Sequence, residues 1–140
     1  MHAPKKQTRT VQAPPEAVFN AVLGIAQRPK PYTLVGVNNE AQRIVFSRGL
    51  TGLTWGAIYL VGIEPAAGGV DVTVTVGGRD DAPKALLDGW KHNRAGAKWL
   101  YELEAVLAGT ELAPHTPGES FLQLTEDERV PWTTDDFPLP

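Results

Sequence analysis

The sequence predicts an α+β fold in which a long C-terminal helix packs across a curved antiparallel β-sheet. Residues 70–76 alternate strictly between valine and polar residues, which is the pattern of a strand with one buried face. Residues 16–27 and 82–108 instead place apolar side chains three or four positions apart, as amphipathic helices do. Because a helix and a sheet that each have one apolar face bury those faces against each other, these patterns predict two layers.

The N-terminal part predicts an edge strand followed by a short helix. Residues 6–13 are rich in polar side chains, as in a strand at the edge of a sheet, and they end at Pro14 and Pro15. Proline is tolerated in the first turn of a helix, where its missing N–H loses no hydrogen bond. The helix 16–27 then stops before Pro29, because proline also restricts the residue that precedes it.

Four antiparallel strands are predicted in the middle of the chain. Residues 32–37 and 43–47 flank a polar Asn-Asn turn and therefore predict a hairpin. A long strand follows at 54–64, and the strand 70–76 completes the meander after a glycine-containing turn. One face of the long strand presents Trp55, Ala57, Tyr59, Val61 and Ile63.

The last predicted helix covers residues 82–108, with Gly109 as its C-terminal cap. At about 100° per residue, the side predicted to face the sheet contains Leu86, Trp90, Asn93, Ala97, Leu100, Tyr101, Glu104 and Leu107. Trp99 and Leu103 fall outside this side and predict a second apolar patch. That patch either forms a homodimer interface or is covered by the C-terminal tail, which would leave a monomer.

Charge divides the chain into two regions. The 140 residues carry 13 basic and 16 acidic side chains, a formal net charge of −3. Residues 110–140 hold seven of the acids, five of the 12 prolines and the single base Arg129, so this segment carries −6 and residues 1–109 carry +3. We therefore expect one folded domain at 1–109 and an acidic, proline-rich C-terminal tail at 110–140.

The tail also contains large apolar residues, among them Phe121, Trp132 and Phe137. A segment that only solvates the protein rarely keeps such side chains. We expect them to dock on the domain or on a neighbouring subunit. The alternative is a flexible acidic tail that aids solubility.

Two segments resemble a known superfamily. APPEAVFNAV (13–22) is similar to the opening, and DGWKHNRAGAKWLYELEAVL (88–107) to the closing helix, of the START/Bet v 1-like (SRPBCC) helix-grip proteins, which include polyketide cyclase-like and Aha1-like members. The resemblance covers about residues 6–108 and implies a helix-grip fold. It is a compact version, because Pro29 and Pro31 end the first helix early and only about four strands follow.

The resemblance also implies a ligand site, since the inner face of the last helix forms one wall of the cavity in helix-grip proteins. The candidate ligand-binding residues are Trp90, Asn93, Ala97 and Tyr101 on the helix and Trp55 and Tyr59 on the long strand. Asn93 and Glu104 leave three interpretations open. The helix is rotated so that both are peripheral, or both are buried and satisfied by backbone or water, or both line the pocket and bind a ligand.

We expect a non-enzymatic protein that binds a small apolar or amphipathic ligand between the C-terminal helix and the sheet. One alternative is an Aha1-like protein-interaction module that uses its sheet or acidic tail. A second alternative is a cyclase-like or hydrolase-like enzyme, for which Glu104 and, less directly, His92 are placed. The two serines lack a nucleophile-elbow context, and the three histidines lack metal-ligand spacing, so no catalytic residue, metal or cofactor is predicted.

The composition of the chain also predicts the location of the protein and the kinds of partner that it does not bind. The chain has no cysteine, which excludes a disulfide framework, thiol catalysis and Cys-ligated metals. Residues 1–6 have no apolar stretch like that of a signal peptide, and the longest apolar run, 55–63, is far shorter than the roughly 20 residues that span a bilayer. The weakly acidic charge argues against a nucleic-acid partner. We expect a cytoplasmic protein that neither binds nucleic acid nor inserts into membranes.

Overall fold

The computed structural model describes residues 2–49, 56–78, 88–124 and 127–137. The first half contains β1 (His2–Val11), α1 (Pro15–Ala26), β2 (Tyr32–Asn38), β3 (Arg43–Arg48) and β4 (Ala57–Ala66). The second half contains β5 (Gly69–Gly78), α2 (Asp88–Leu107), β6 (Phe121–Gln123) and β7 (Arg129–Val130). This order confirms the predicted α+β class and its strand–helix–meander–helix sequence.

One antiparallel sheet joins all seven strands in the order β1-β5-β4-β3-β2-β6-β7. Hairpins connect β2 through β5, while β1 lies beside β5 and so returns to the far side of the meander. Both helices pack on one side of the sheet, which we call the inner face. The opposite side is the outer face.

The inner face follows the predicted alternation. In β5 the valines at 70, 72, 74 and 76 are all buried, while the residues between them are partly exposed. In β4, Ala57, Tyr59, Val61 and Ile63 are buried on the same side. The period of two in the sequence was thus sufficient to assign this face, because successive strand side chains point to opposite sides.

The first helix begins and ends as proline placement predicts. Pro15 occupies its first turn and Glu16 follows near the positive end of the helix dipole. Val18, Val22 and Ile25 are wholly buried against the inner face.

The end of α2 has the predicted glycine cap. Gly109 adopts φ of +80°, a left-handed conformation that favours glycine. The Gly109 N–H donates to the Val106 carbonyl at 3.0 Å and the Thr110 N–H to the Ala105 carbonyl at 2.9 Å, as in a Schellman motif. The predicted start of this helix, at 82–87, lies outside the described residues.

The predicted sheet-facing side of α2 is wrong. Trp99, Leu100 and Leu103 are buried in the core, whereas Trp90 and Tyr101 are 58% and 64% exposed. The helix instead buries the side that carries Gly96, Trp99, Leu100 and Leu103, and Gly96 lies beside the Gln7 side chain of β1.

The predicted second apolar patch is therefore also wrong. Trp99 and Leu103 are completely buried in the same core as the sheet. They offer no surface for a homodimer.

The C-terminal tail contacts the sheet in the same chain. In β6, Leu122 pairs with Gly36 of β2, so the tail extends the sheet by two short strands. Trp132 is 3% exposed and packs in a second cluster with Val45, Leu60 and Leu122 on the outer face. The indole N–H of Trp132 donates to the Asp136 carbonyl at 3.3 Å.

Candidate functional site

An aromatic cluster lies between α2 and the inner face. Tyr32, Phe46, Tyr59 and Trp99 are all at most 4% exposed. Phe46 stacks on Tyr59 with ring centroids 4.8 Å apart, and Tyr32 meets both rings edge-on at 5.2 and 5.9 Å. Trp99 of α2 lies 5.7 Å from Phe46. Four elements, β2, β3, β4 and α2, thus meet in one apolar wall.

A polar chain runs along one side of this cluster, which we call the Tyr32–Glu102 network. The Tyr32 hydroxyl donates to the two carboxylate oxygens of Glu102 at 3.1 and 3.2 Å. Arg28 lies on the other side of that carboxylate at 3.5 Å and also donates to the Leu112 carbonyl at 2.9 Å. The network therefore ties the end of α1 and the start of β2 to the middle of α2.

The two buried tyrosines stay neutral at physiological pH. Burial raises the pKa of Tyr32, and the negative charge of Glu102 raises it further. Burial also raises the pKa of Tyr59, against the opposing effect of the nearby Arg48 cation. Each hydroxyl therefore keeps its proton: Tyr32 donates it to Glu102, and Tyr59 remains available as a hydrogen-bond donor.

One polar group beside the cluster, the Trp99 indole N–H, has no hydrogen-bond partner among the described residues. This Nε1–H is completely buried. A buried donor without a partner costs roughly 1–3 kcal/mol. The cluster thus holds an apolar wall with one unsatisfied donor in it.

The five predicted ligand-binding residues that the structure describes do not come together. Tyr59 belongs to the aromatic cluster, and Ala97 is half-buried on α2. Trp90, Asn93 and Tyr101 lie on the exposed side of the helix, away from the sheet. Trp55 lies outside the described residues.

Asn93 and Glu104 fit the interpretation in which the helix is rotated. The side chain of Asn93 is exposed, and its backbone carbonyl accepts a hydrogen bond from the Gln7 side-chain amide. The Glu104 carboxylate is 43% exposed and pairs with Arg9 at 2.7 Å. Neither side chain reaches the aromatic cluster.

The residues that build the cluster were mostly missed from the sequence. A signal for Trp99 was present, because small or apolar residues also recur three or four apart along another side of the helix: Gly96, Trp99, Leu100, Leu103 and Leu107. Tyr32 and Glu102 carried no such signal, since they meet only through the tertiary fold.

The acid–base candidates lie outside the cluster as well. His92 is 7% exposed, and its Nδ1 lies 2.8 Å from the Ala3 carbonyl. It therefore anchors the start of β1 to α2. Across the described ranges, no group of three or more His, Asp or Glu side chains is arranged to hold a metal ion.

Two grooves occur away from the cluster. One, of about 350 Å³, lies between the ends of β1 and α2 beside Gln12, Glu104 and Leu107. The other, of about 210 Å³, lies on the outer face beside Lys6, Arg43 and Phe137 of the tail. Neither groove is lined by a residue of the aromatic cluster. Neither of the two helices, as far as they are described, is both long and apolar enough to span a membrane.

Comparison with solved structures identifies the architecture. The crystal structure of Ara h 8.0201, a Bet v 1-like allergen, matches with a TM-score of 0.52 at 13% identity, covering 76% of this chain and 97% of that one. The crystal structure of protein MLL2253 from Mesorhizobium loti matches with a TM-score of 0.56 at 13% identity, covering 78% and 99%. This chain has a Bet v 1-like helix-grip fold.

The solution structure of ChR145 from Cytophaga hutchinsonii shares the same helix-grip architecture, with a TM-score of 0.51, 13% identity and coverage of 76% and 94%. No protein-family model and no curated protein sequence matches the chain. At these identities the likeness is one of fold, so the function has to be argued from this chain's own residues.

Proposed function

We propose that this helix-grip protein binds a small amphipathic ligand between α2 and the inner face of the sheet, without transforming it. The aromatic cluster would contact the apolar body of the ligand. Polar groups beside the cluster would contact its polar end. Binding of this kind needs no acid, base or nucleophile, in keeping with the structural tasks of His92 and Glu104 described above.

The observation that carries the proposal is the buried Trp99 N–H. Buried donors in native proteins are almost always paired with protein, water or ligand acceptors. Trp99 is completely buried, so its indole cannot turn to bulk water. A ligand oxygen, such as that of a carboxylate or carbonyl, would supply the missing acceptor.

The neighbouring groups favour the same ligand chemistry. The neutral hydroxyl of Tyr59 and the cation of Arg48 lie on the inner face next to the rings. A donor and a cation beside an apolar wall suit a ligand with an anionic or carbonyl head and a hydrocarbon or aromatic body. We take decanoate as the simplest probe of that class.

The test is isothermal titration calorimetry of decanoate with matched tryptophan variants. Trp99→Phe removes the unpaired donor and keeps an aromatic ring, so decanoate should bind about tenfold more weakly, as expected for one hydrogen bond to a charged group. Trp132→Phe removes an indole N–H from the outer face and should leave the affinity within twofold. Both variants are first checked for native circular dichroism. Equal affinity of Trp99→Phe and the parent protein for decanoate would overturn the proposal.

A further inference from the structure

We propose that the exposed side of α2, together with the adjoining strand β1, docks the protein on the surface of an anionic phospholipid membrane. This surface, which we call the basic face, is independent of the inner-face site. Its residues are Lys5 and Arg9 of β1 and Trp90, Lys91, Arg94, Lys98 and Tyr101 of α2.

Two exposed aromatic side chains mark the basic face. Trp90 is 58% and Tyr101 64% exposed, although both are large and amphipathic. Tyr101 is eleven positions after Trp90 along the helix, which places the two about 16 Å apart on nearly the same line. Tryptophan and tyrosine with this placement are typical of membrane–water interfaces, where the ring is apolar and its polar atom stays wet.

Cations surround both rings. The Arg94 guanidinium lies 5.3 Å from the Trp90 ring, and that of Arg9 lies 5.1 Å from the Tyr101 ring. Lys91 and Lys98 are exposed within about 100° of Trp90 around the helix.

The strand next to the helix extends this positive charge. Lys5 of β1 lies beside the first turn of α2, where its Cε would be 3.1 Å from a Cβ added at Gly89. Two acidic residues of α2 border the face: Glu104 is paired with Arg9 at 2.7 Å, and Glu102 lies 3.5 Å from Arg28. Because each of these carboxylates already has a cation beside it, Lys5, Lys91, Arg94 and Lys98 give the face an excess of positive charge.

The sheet separates this positive face from the acidic tail. β1 is one edge of the seven-stranded sheet and β7 is the other, so the two edges are about 29 Å apart at the usual strand spacing. Asp127 and Glu128 are exposed beside β7, and Asp135 and Asp136 are exposed where the tail crosses the outer face, next to Phe137. Because α2 lies on the inner face, a negative surface would attract the basic face and repel the outer face, which orients the protein with the basic face down.

The same observations favour a membrane over other negative partners. The acidic edge of a second copy has the right charge, but its Trp132 is already buried in its own chain and offers little apolar surface to Trp90 and Tyr101. In a single-stranded nucleic acid, successive bases stack on neighbouring aromatic rings. Here the two rings are far apart, and each is covered by an arginine.

The first test is sedimentation of the full chain with vesicles of phosphatidylcholine, with and without 30 mole per cent phosphatidylserine. Binding should need phosphatidylserine and should fall steeply at high salt. The triple variant Lys91→Gln/Arg94→Gln/Lys98→Gln should bind about 100-fold more weakly, because each cation near an anionic surface contributes about fivefold. Lys98→Gln alone should cost about fivefold, whereas Arg129→Gln at the opposite edge should change binding less than twofold.

The second test addresses the aromatic pair. Trp90→Ala/Tyr101→Ala should reduce vesicle binding more than tenfold, whereas Leu112→Ala, which removes a 90% exposed side chain in the tail, should leave it unchanged. Vesicles of brominated phosphatidylcholine with phosphatidylserine should quench the fluorescence of the parent protein but that of Trp90→Phe much less.

Three outcomes would overturn the proposal. The first is equal binding to neutral and anionic vesicles, and the second is equal binding by the triple variant and the parent. The third is a parent protein that binds no vesicles but self-associates or binds an oligonucleotide, and that loses this binding in the triple variant. Decanoate binding at Trp99 is measured separately, so failure on vesicles leaves the inner-face proposal standing.

Discussion

Replacing Trp132 by alanine tests whether the acidic tail is part of the folded unit. The side chain is 3% exposed, lies against Val45, Leu60 and Leu122 and has Phe137 at 6.0 Å between ring centroids. Truncation of a buried tryptophan to alanine costs about 3–5 kcal/mol. We expect the lower end, about 3 kcal/mol, because a tail held by two short strands can settle into the space that is left.

Urea unfolding followed by circular dichroism gives the free energy of unfolding, and thermal unfolding gives an independent measure. With an unfolding entropy of about 2.1 cal/mol/K per residue, a loss of 3 kcal/mol lowers the Tm of this 140-residue chain by about 10 °C. The matched control is Leu112→Ala, which changes a 90% exposed residue of the same tail and should shift the Tm by less than 2 °C. A Trp132→Ala protein within 0.5 kcal/mol of the parent would show that the tail unfolds separately from the sheet, contrary to this reasoning.

Two further stability predictions follow from the core. Because burial raises the pKa values of Tyr32 and Tyr59, the unfolded chain loses these protons first as the pH rises above about 10, and the free energy of unfolding should fall there. Tyr32, whose pKa is raised most, should supply most of the fall, about 1.4 kcal/mol per pH unit. Urea titrations at pH 9 to 11 measure that slope, which Tyr32→Phe should make much shallower; an unchanged slope would contradict the assignment. Gly24→Ala should destabilise the protein by about 1–3 kcal/mol, because its Cβ would lie 2.8 Å from the Ala113 Cβ and 2.9 Å from the Ala113 carbonyl oxygen, whereas Gly118→Ala meets nothing within 4 Å and should be neutral. Equal stability of the two alanine variants in urea would refute the close contact of α1 with the segment after α2.

The sequence was most informative where one period dominated. The alternating valines of β5 and the three-four spacing in α1 predicted those elements and their buried faces. Gly109 predicted the end of α2, because a left-handed glycine cap depends only on the local sequence.

The orientation of α2 could not be found in this way. Trp90 and Tyr101 look apolar in a helical pattern, yet each presents a polar atom and an arginine-covered ring to solvent. The side that is buried carries Trp99, Leu100 and Leu103, and it packs against β1 and β5, of which β1 lies almost ninety residues earlier in the chain. Two helical faces of similar hydrophobicity were available, and packing against β1 selected one.

The candidate site was predictable only in part, for the same reason. Tyr59 could be assigned to the inner face from strand alternation. The Tyr32–Glu102 contact joins residues 70 positions apart, and the missing acceptor at Trp99 is a property of the assembled core. The short strand β6 forms because it can pair with the edge of β2. Its three residues alone do not predict that pairing.

The indole ¹H–¹⁵N signal of Trp99 during a decanoate titration tests the central claim most directly. The account predicts that this signal, assigned with the Trp99→Phe variant, moves downfield and saturates as its N–H gains an acceptor. The Trp132 signal should stay in place, because that N–H already donates to the Asp136 carbonyl. A Trp99 signal that stays unchanged while decanoate binds, or the absence of decanoate binding, would contradict a ligand site between α2 and the sheet.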